Sequence, residues 1–529
     1  MWKGFNKPGF TRLGGSLMRG RNKARRAFDL GLIVLALLFI LPTPLPCQDK
    51  QGGPCGTIPK GKPKRIKGGE AFPPLPLPAT PLRRTERKRN PAPPTLIGKV
   101  IWGRERTTMN KDGRNVRYFD WNNDPSDVKR LLELAARSLG IRYKSMAVGL
   151  EDFSFDPDET PILWITGTKA VDFPPEIHEK LSAYLKQGGT IWGDACRGSG
   201  EFANAFRRLI ARCLPDHEMR PLGPDHPVFS CAVDLEGRAG YTPWTRDRPE
   251  GAPYLEGLNI GCRTAVFFCP YALSCAWDSG HVTEGCPQML EKSALALGMN
   301  LLSYTIANRP LGRFLSRPAA ASAGEPEAGG FVFAQARFNG EYNPDPGAFG
   351  NLLYHLSTHT SIKVALQHPF ISFSDPALSG YPFIYLTGHG PISLNSREAQ
   401  GLRAFLDAGG FLFADACCSD LRFDQSFRRT MDALFPNSGL EIIPGDDALF
   451  KAPEKITTVR YTPKVKVTWP DLKSPYLEGI AMEGTWRVVY SRLDIGCGWE
   501  GEVHPYRLGL EGDDAKRIAV NVIVYAMTH

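Results

Sequence analysis

The sequence predicts an α/β protein built from two copies of one doubly wound domain, each with a mainly parallel sheet. Three observations carry this reading. A long internal repeat holds a fixed register, apolar runs alternate with amphipathic ones, and Pro-rich breaks set the copies apart from each other and from the N-terminus.

The repeat is read by direct comparison. Pro161 to Gly167 matches Pro382 to Gly388, and Gly188 to Cys196 matches Gly409 to Cys417. Phe206-Arg207-Arg208 matches Phe427-Arg428-Arg429, and Pro215 matches Pro436, all 221 residues apart. The offset becomes 222 for Pro253 to Gly257 against Pro475 to Gly479, and for Cys275 to Trp277 against Cys497 to Trp499. Chance does not keep register over such a distance, so the chain contains a duplication.

Within the second copy, Phe331 to Ala334 reads as a first strand. Asp345-Pro346 reads as a helix start, with Asp as N-cap and Pro at the first helical position; Asp124-Pro125 is its counterpart. Phe383 to Leu386 is an apolar strand ending at Gly388. Ser396 to Leu406 is an amphipathic helix closed by Gly409-Gly410. Phe411 to Ala414 is the next strand and Phe423 to Leu434 the next helix. Val488 to Tyr490 gives a further strand, and Asp513 to Met527 the last helix, matched by Lys292 to Ile306 in the first copy. Continuous apolar strands between helices mean a sheet covered on both faces. Each copy therefore reads as a flavodoxin-like domain.

The segments divide as 1–26 (basic), 27–46 (apolar), 47–97 (Pro- and Lys/Arg-rich linker), 98–308 (first copy), 309–328 (linker) and 329–529 (second copy). Residues 1–26 hold eight basic residues and no acid, and the run Leu30 to Leu41 follows. Its length suits a signal-peptide core, or, stretched from Phe28 to Pro46, a signal anchor. A bacterial cytoplasmic membrane protein with one span through 27–46 and its domains outside is expected; a cleaved, secreted or periplasmic chain is the alternative. The net charge of +9 comes from the tail: residues 1–98 hold 19 basic and four acidic residues, and the other 431 hold 45 and 51. The globular part carries no electrostatic footprint for nucleic acid, so no nucleic-acid partner is expected.

The twelve cysteines include no CxxC pair and no zinc-type Cys/His spacing, so neither metal nor cofactor is expected. Cys231, Cys262, Cys269, Cys275 and Cys286 crowd the end of the first copy as disulfide candidates for an exported chain. Walker, dinucleotide-binding and His-Glu-x-x-His motifs are absent from the sequence.

Tyr381 to Gly390, Leu402 to Asp415 and Gly496 to Glu500 resemble an uncharacterised bacterial family, domain of unknown function 4159. The resemblance covers nearly all of 330–529 and, more loosely, 98–308, where Thr168-Lys169 replace His389-Gly390. That family is itself similar to the class I glutamine amidotransferase-like fold, including ThuA-like proteins. The resemblance implies a fold and a bacterial source, and brings no activity.

In open parallel sheets, ligands bind beyond the carboxyl ends of the strands. Asp194 and Cys196 stand at one such end, Asp415 and Cys417 at its repeat. In amidotransferase-like enzymes the nucleophilic cysteine occupies a turn of this kind, where a helix N-terminus lowers its pKa. A thiolate enzyme also needs a base, and the last matched strand ends in Asp278 or Glu500, without histidine. His226 and His281 are the substitutes in the first copy; the second has Asp447 in place of His226. Cys196, Asp194 and His226 are thus the catalytic candidates, and Arg337, His389, Asp415, Cys417 and Glu500 the binding candidates. The structural alternatives are turn hydrogen bonds for the aspartates, a buried or disulfide-bonded Cys196, and solvated loops for Arg337 and His389. The missing base favours a membrane-tethered, non-catalytic binding or scaffolding protein for a carbohydrate or protein ligand. A cysteine hydrolase or amidotransferase using Cys196 is the alternative.

Overall fold

A computed structural model of the chain describes residues 93–109, 112–247, 251–280, 282–316, 330–501 and 504–529. The apolar segment 27–46, the basic segment before it, most of both linkers and His281 lie outside these residues. Among the described residues no helix is long and apolar enough to cross a membrane.

The first copy contains strands β1 (Thr95–Ile101), β4 (Lys144–Gly149), β5 (Ile162–Gly167), β6 (Thr190–Ala195), β7 (Arg220–Pro221), β8 (Glu256–Ile260) and β9 (Arg263–Cys269). A separate hairpin, β2 (Glu105–Met109) and β3 (Asn115–Phe119), is inserted after β1. The second copy repeats the seven as β10 (Ala334–Ala336), β11 (Phe370–Ile371), β12 (Phe383–Gly388), β13 (Phe411–Ala416), β14 (Glu441–Ile442), β15 (Glu478–Met482) and β16 (Thr485–Ser491). The strand orders are β4-β1-β5-β6-β9-β8-β7 and β11-β10-β12-β13-β16-β15-β14. The first five strands in each order run parallel where their pairing is direct; the last two join as antiparallel hairpins.

Each sheet is covered on both faces, as its unbroken apolar strands require. In the first copy, α1 (Asp127–Ser138) and α5 (Glu291–Ala307) bury Leu131 and Leu297 on one face, and α2 (Pro175–Lys186) and α3 (Gly200–Cys213) bury Leu181 and Phe206 on the other. In the second, α7 (Ala348–His359) and α12 (Gly512–Thr528) face α8 (Ser396–Asp407) and α9 (Leu421–Leu434) across the sheet, through Leu352 and Ile518 on one side and Leu402 and Phe427 on the other. One equivalent ion pair braces each copy: Arg207 grips Glu256 through two nitrogens at 2.8 and 2.7 Å, and Arg428 grips Glu478 through two nitrogens. These arginines tie a helix to the antiparallel edge.

Three expectations shift. The first strand of copy two is Ala334–Ala336, with Phe331 making only an isolated bridge to Val364. The second linker is partly helical, since α6 (Arg309–Leu315) continues from α5. Asp345 does not cap α7, which begins after Gly347, and Asp124 does not cap α1, which begins after Ser126. Glu500 Oε1 instead accepts from Gly347 N at 3.3 Å, and Asp278 Oδ1 from Ser126 N at 2.5 Å. The two Asp-Pro aspartates are released for another use.

Residues 90–529 form one compact unit. Between the copies Tyr304 and Tyr506 stack with centroids 5.7 Å apart, and the turn at Gly261 between β8 and β9 lies against Leu315 and Pro344.

Helix α8 crosses Phe373 so closely that a Cβ at Gly401 would run into that residue's carbonyl oxygen. Gly401→Ala should therefore cost about 2 kcal/mol in urea unfolding, within the usual range for overpacking. Gly439→Ala, with open space around it, should stay close to the parent. Equal midpoints for the two variants would contradict the packing described.

Candidate functional site: a cysteine centre between the copies

The strand ends of the second copy converge on the hairpin turn of the first. Strand β13 runs out into Cys417 and Cys418, and Asp420 caps the following helix α9 by accepting from Arg422 N and Phe423 N. Strand β16 runs out through Asp494 into the short helix α11 (Gly496–Glu500), which carries Cys497. From the first copy, Cys262 enters at the β8–β9 turn, beside Gly261 at φ 58.

Asp415 fixes this geometry. Its buried carboxylate accepts from Ile495 N at 3.0 Å, Gly496 N at 2.9 Å and the Tyr385 hydroxyl at 2.7 Å. Asp494 makes a second tie, accepting from Cys418 N at 2.7 Å and Cys497 N at 3.0 Å. In consequence Cys497 Sγ lies 3.6 Å from Cys417 Sγ and 3.8 Å from Cys418 Sγ. Cys262 Sγ lies 3.2 Å from Cys417 and 3.7 Å from Cys497, and Cys417 lies 3.9 Å from Cys418. All four sulfurs fall within 4.8 Å of one another.

Consecutive side chains on a strand point to opposite faces. Cys417 and Cys418 reach one point because Cys418 adopts φ 53, ψ 11, followed by Ser419 at φ 59. Non-glycine residues hold that conformation at a cost of about 1–3 kcal/mol and do so where the surroundings enforce it.

Polar groups ring the sulfurs. Asp345 sits 2.8 Å from Cys262 Sγ and 3.2 Å from both Cys417 and Cys497. His504 Nδ1 is 3.8 Å from Cys418 Sγ, and Arg507 Nη1 is 3.8 Å from Asp494. His389 Nδ1 stands 3.6 Å from Glu341, which also approaches Asn259 of the first copy at 3.4 Å. Both ring nitrogens of His389, His504 Nε2, Arg507 Nη1 and Glu500 Oε2 are buried and lack hydrogen-bond partners. Burial holds Asp345 and Cys417 well above their ordinary ranges. The surrounding thiols of Cys262, Cys417 and Cys497 hold Cys418 well below its own. Burial opposes a charge on His389, but Cys418 and Glu341 beside it raise it well above the usual imidazole value. Burial pushes Glu500 up to about 7.

The first copy keeps a reduced version. Cys196 Sγ is 3.6 Å from Cys275 Sγ and 3.2 Å from Asp124, and Asp194 accepts from Leu273 N at 2.6 Å and Ser274 N at 3.3 Å. Arg197, at φ 56, stands where the second copy has Cys418.

Of the candidates drawn from sequence, Asp194 and Asp415 are backbone ties, while Cys417 lies in the centre and His389 and Glu500 lie beside it. Cys196 is buried against Cys275, which together with burial lifts its thiol well above the ordinary value. His226 is engaged elsewhere: its Nδ1 accepts from Val228 N at 3.1 Å, and Nε2 meets Thr264 Oγ1 at 3.0 Å. Arg337 is exposed at the surface after β10. The centre also uses Cys418, Asp494 and His504, together with Cys262 and Asp345, which the sequence marks only as a disulfide candidate and a helix cap. Linear spacing gives no sign of this sulfur set, because two of its four cysteines come from other turns, one of them in the other copy. The cysteines suggested as disulfide candidates are free thiols, with Cys269 and Cys275 buried and Cys231, Cys262 and Cys286 half-buried.

Fold and site together define a tandem α/β protein with a thiol-rich centre shared between its repeats. A family model described as Domain of unknown function (DUF4159) matches residues 114–306 and again 332–527, and the chain belongs to that family. No curated protein matches it.

His226 offers a check on this assignment of roles. Its burial pushes the imidazole down to about 3, so it stays neutral in the folded chain. The unfolded chain binds that proton near pH 6.5, so folding loses stability as pH falls from about 6.5 toward 3, by up to about 1.4 kcal/mol per pH unit from this group. Imidazole NMR should show His226 neutral, with hydrogen on Nε2, throughout pH 5 to 8; a titration near 6.5 would contradict its structural role.

Proposed function

We propose that this chain is a binding protein rather than an acyl-transfer enzyme, with its ligand site in the centre between the copies. The observation that carries the reading is the seat of Cys262: the β8–β9 turn of the first copy fills the crevice in which an open sheet would otherwise receive a substrate. The buried nitrogens of His389, His504 and Arg507 that make no hydrogen bond support a ligand held inside this closed site. The raised Cys196 thiol and the occupied nitrogens of His226 speak against the amidotransferase-type alternative at that position.

Each copy is read as flavodoxin-like and akin to the class I glutamine amidotransferase-like and ThuA-like proteins. The β4-β1-β5-β6-β9 run supports this, being the 2-1-3-4-5 order of that fold with an antiparallel extension. Attachment to the bacterial cytoplasmic membrane through 27–46, with the domains outside, remains part of the proposal and rests on the sequence of that segment.

A second reading has one observation in its favour. Cys418 combines a left-handed backbone at a strand-to-helix turn with nearby His389 and Glu341, the elements of an activated thiol. Steady-state assays of the full chain on activated esters and amides separate the two. The binding reading expects no turnover above the buffer rate, and slow alkylation of Cys196 across pH 6 to 9. Turnover abolished by Cys418→Ser would establish the hydrolase instead.

A further inference from the structure

We propose that Cys262, Cys417, Cys418 and Cys497 bind one divalent transition-metal ion, zinc by the chemistry of the donors, in a tetrahedral tetrathiolate site; this deepens the binding reading by naming its ligand. The distances carry the inference. Zinc holds thiolate sulfur at about 2.3 Å, so neighbouring sulfurs of a tetrahedral set lie about 3.8 Å apart. Of the six separations, four are 3.6, 3.7, 3.8 and 3.9 Å, one is 3.2 Å, and the last, Cys262 to Cys418, lies within 4.8 Å. Disulfide sulfurs would lie at about 2.0 Å. Thiols packed only as small apolar groups have no reason to share one centre. Four soft donors in a compact tetrahedral set select zinc over calcium or magnesium, which take oxygen ligands.

Two further features fit the same centre. The left-handed backbone at Cys418, which the first copy shares at Arg197, turns two consecutive cysteine side chains onto one point. Around the sulfurs, His504, Arg507 and His389 present buried nitrogens that make no hydrogen bond, two of them at ion-pair distance from Asp494 and Glu341. Such groups suit the outer shell of a centre in which four thiolates outweigh the ion's charge. The repeat marks the boundary of the site. The first copy keeps Asp124, Cys196 and Cys275 in the arrangement of Asp345, Cys417 and Cys497. It has Arg197 in place of Cys418, and the position matching Cys262 in the second copy is Gly484. The complete tetrad therefore forms once per chain.

The experiment uses the full chain, purified under reducing conditions and loaded with zinc, then freed of excess ion. Elemental analysis should give about one zinc per chain, and zinc-edge X-ray absorption should show four sulfurs at about 2.3 Å. Cobalt substitution should produce the intense visible bands of a tetrahedral thiolate site. Cys262→Ser should convert the first shell to three sulfurs and one lighter atom, or abolish retention, while Cys286→Ser should leave content and spectrum unchanged. Cobalt titration of folded Cys262→Ser, with folding checked by circular dichroism, separates a lost ligand from a lost fold. Failure to retain metal, or a first shell of oxygen and nitrogen, would overturn the tetrathiolate site. Neither result would restore catalysis, because the turnover assay decides that separately.

Discussion

The arrangement of the second copy depends on one buried carboxylate. Asp415, at the end of β13, takes the amides of Ile495 and Gly496 and so pins the start of α11 to the neighbouring strand end. A carboxylate in that position satisfies helix-start donors that would otherwise be orphaned, and its charge is favourable at the positive end of the helix. Together with the Asp494 tie to Cys418 N and Cys497 N, it sets Cys497 against Cys417. Asp194 does the same for Leu273 and Ser274, which sets Cys275 against Cys196. The device predates the divergence of the copies, whereas the use made of it differs.

After duplication the copies took different parts. Copy one kept its pair of sulfurs and an aspartate, placed arginine at the left-handed turn position, and sent the turn of its antiparallel hairpin into its sibling. Copy two kept the strained turn as Cys418 and accepted Cys262. Fold repetition therefore does not imply two equivalent sites. Glu341, bridging toward both His389 and Asn259, shows the same dependence in the polar shell. Residues 329–529 alone would lack the fourth sulfur, Cys262.

Much of the fold was legible because it rests on local signals. Gly388 and Gly409-Gly410 mark real element ends, the last helix runs Gly512–Thr528, and the apolar strands alternate with helices as their periodicity requires. The Asp-Pro pairs misled, since a residue suited to capping can be drawn off by a stronger tertiary partner: Asp345 faces sulfur, and Glu500 from the far end of the copy serves the helix start. The centre was half legible. Cys417, Asp415, His389 and Glu500 follow from the strand-end rule. Cys262 does not, because nothing local marks a cysteine in one repeat as a neighbour of the other. The adjacent pair Cys417-Cys418 was the available hint. Its meaning depends on a backbone angle that composition does not encode.

The shared centre sets a temporal order on biogenesis. Cys262 and Cys497 are 235 residues apart, so at typical synthesis rates the first waits roughly 10–50 s for the last to emerge. During that interval the β8–β9 turn has its own sheet but no partner, and its thiol is open to oxidation or mispairing. A cell producing this chain must keep Cys262 reduced until the second repeat has folded over it.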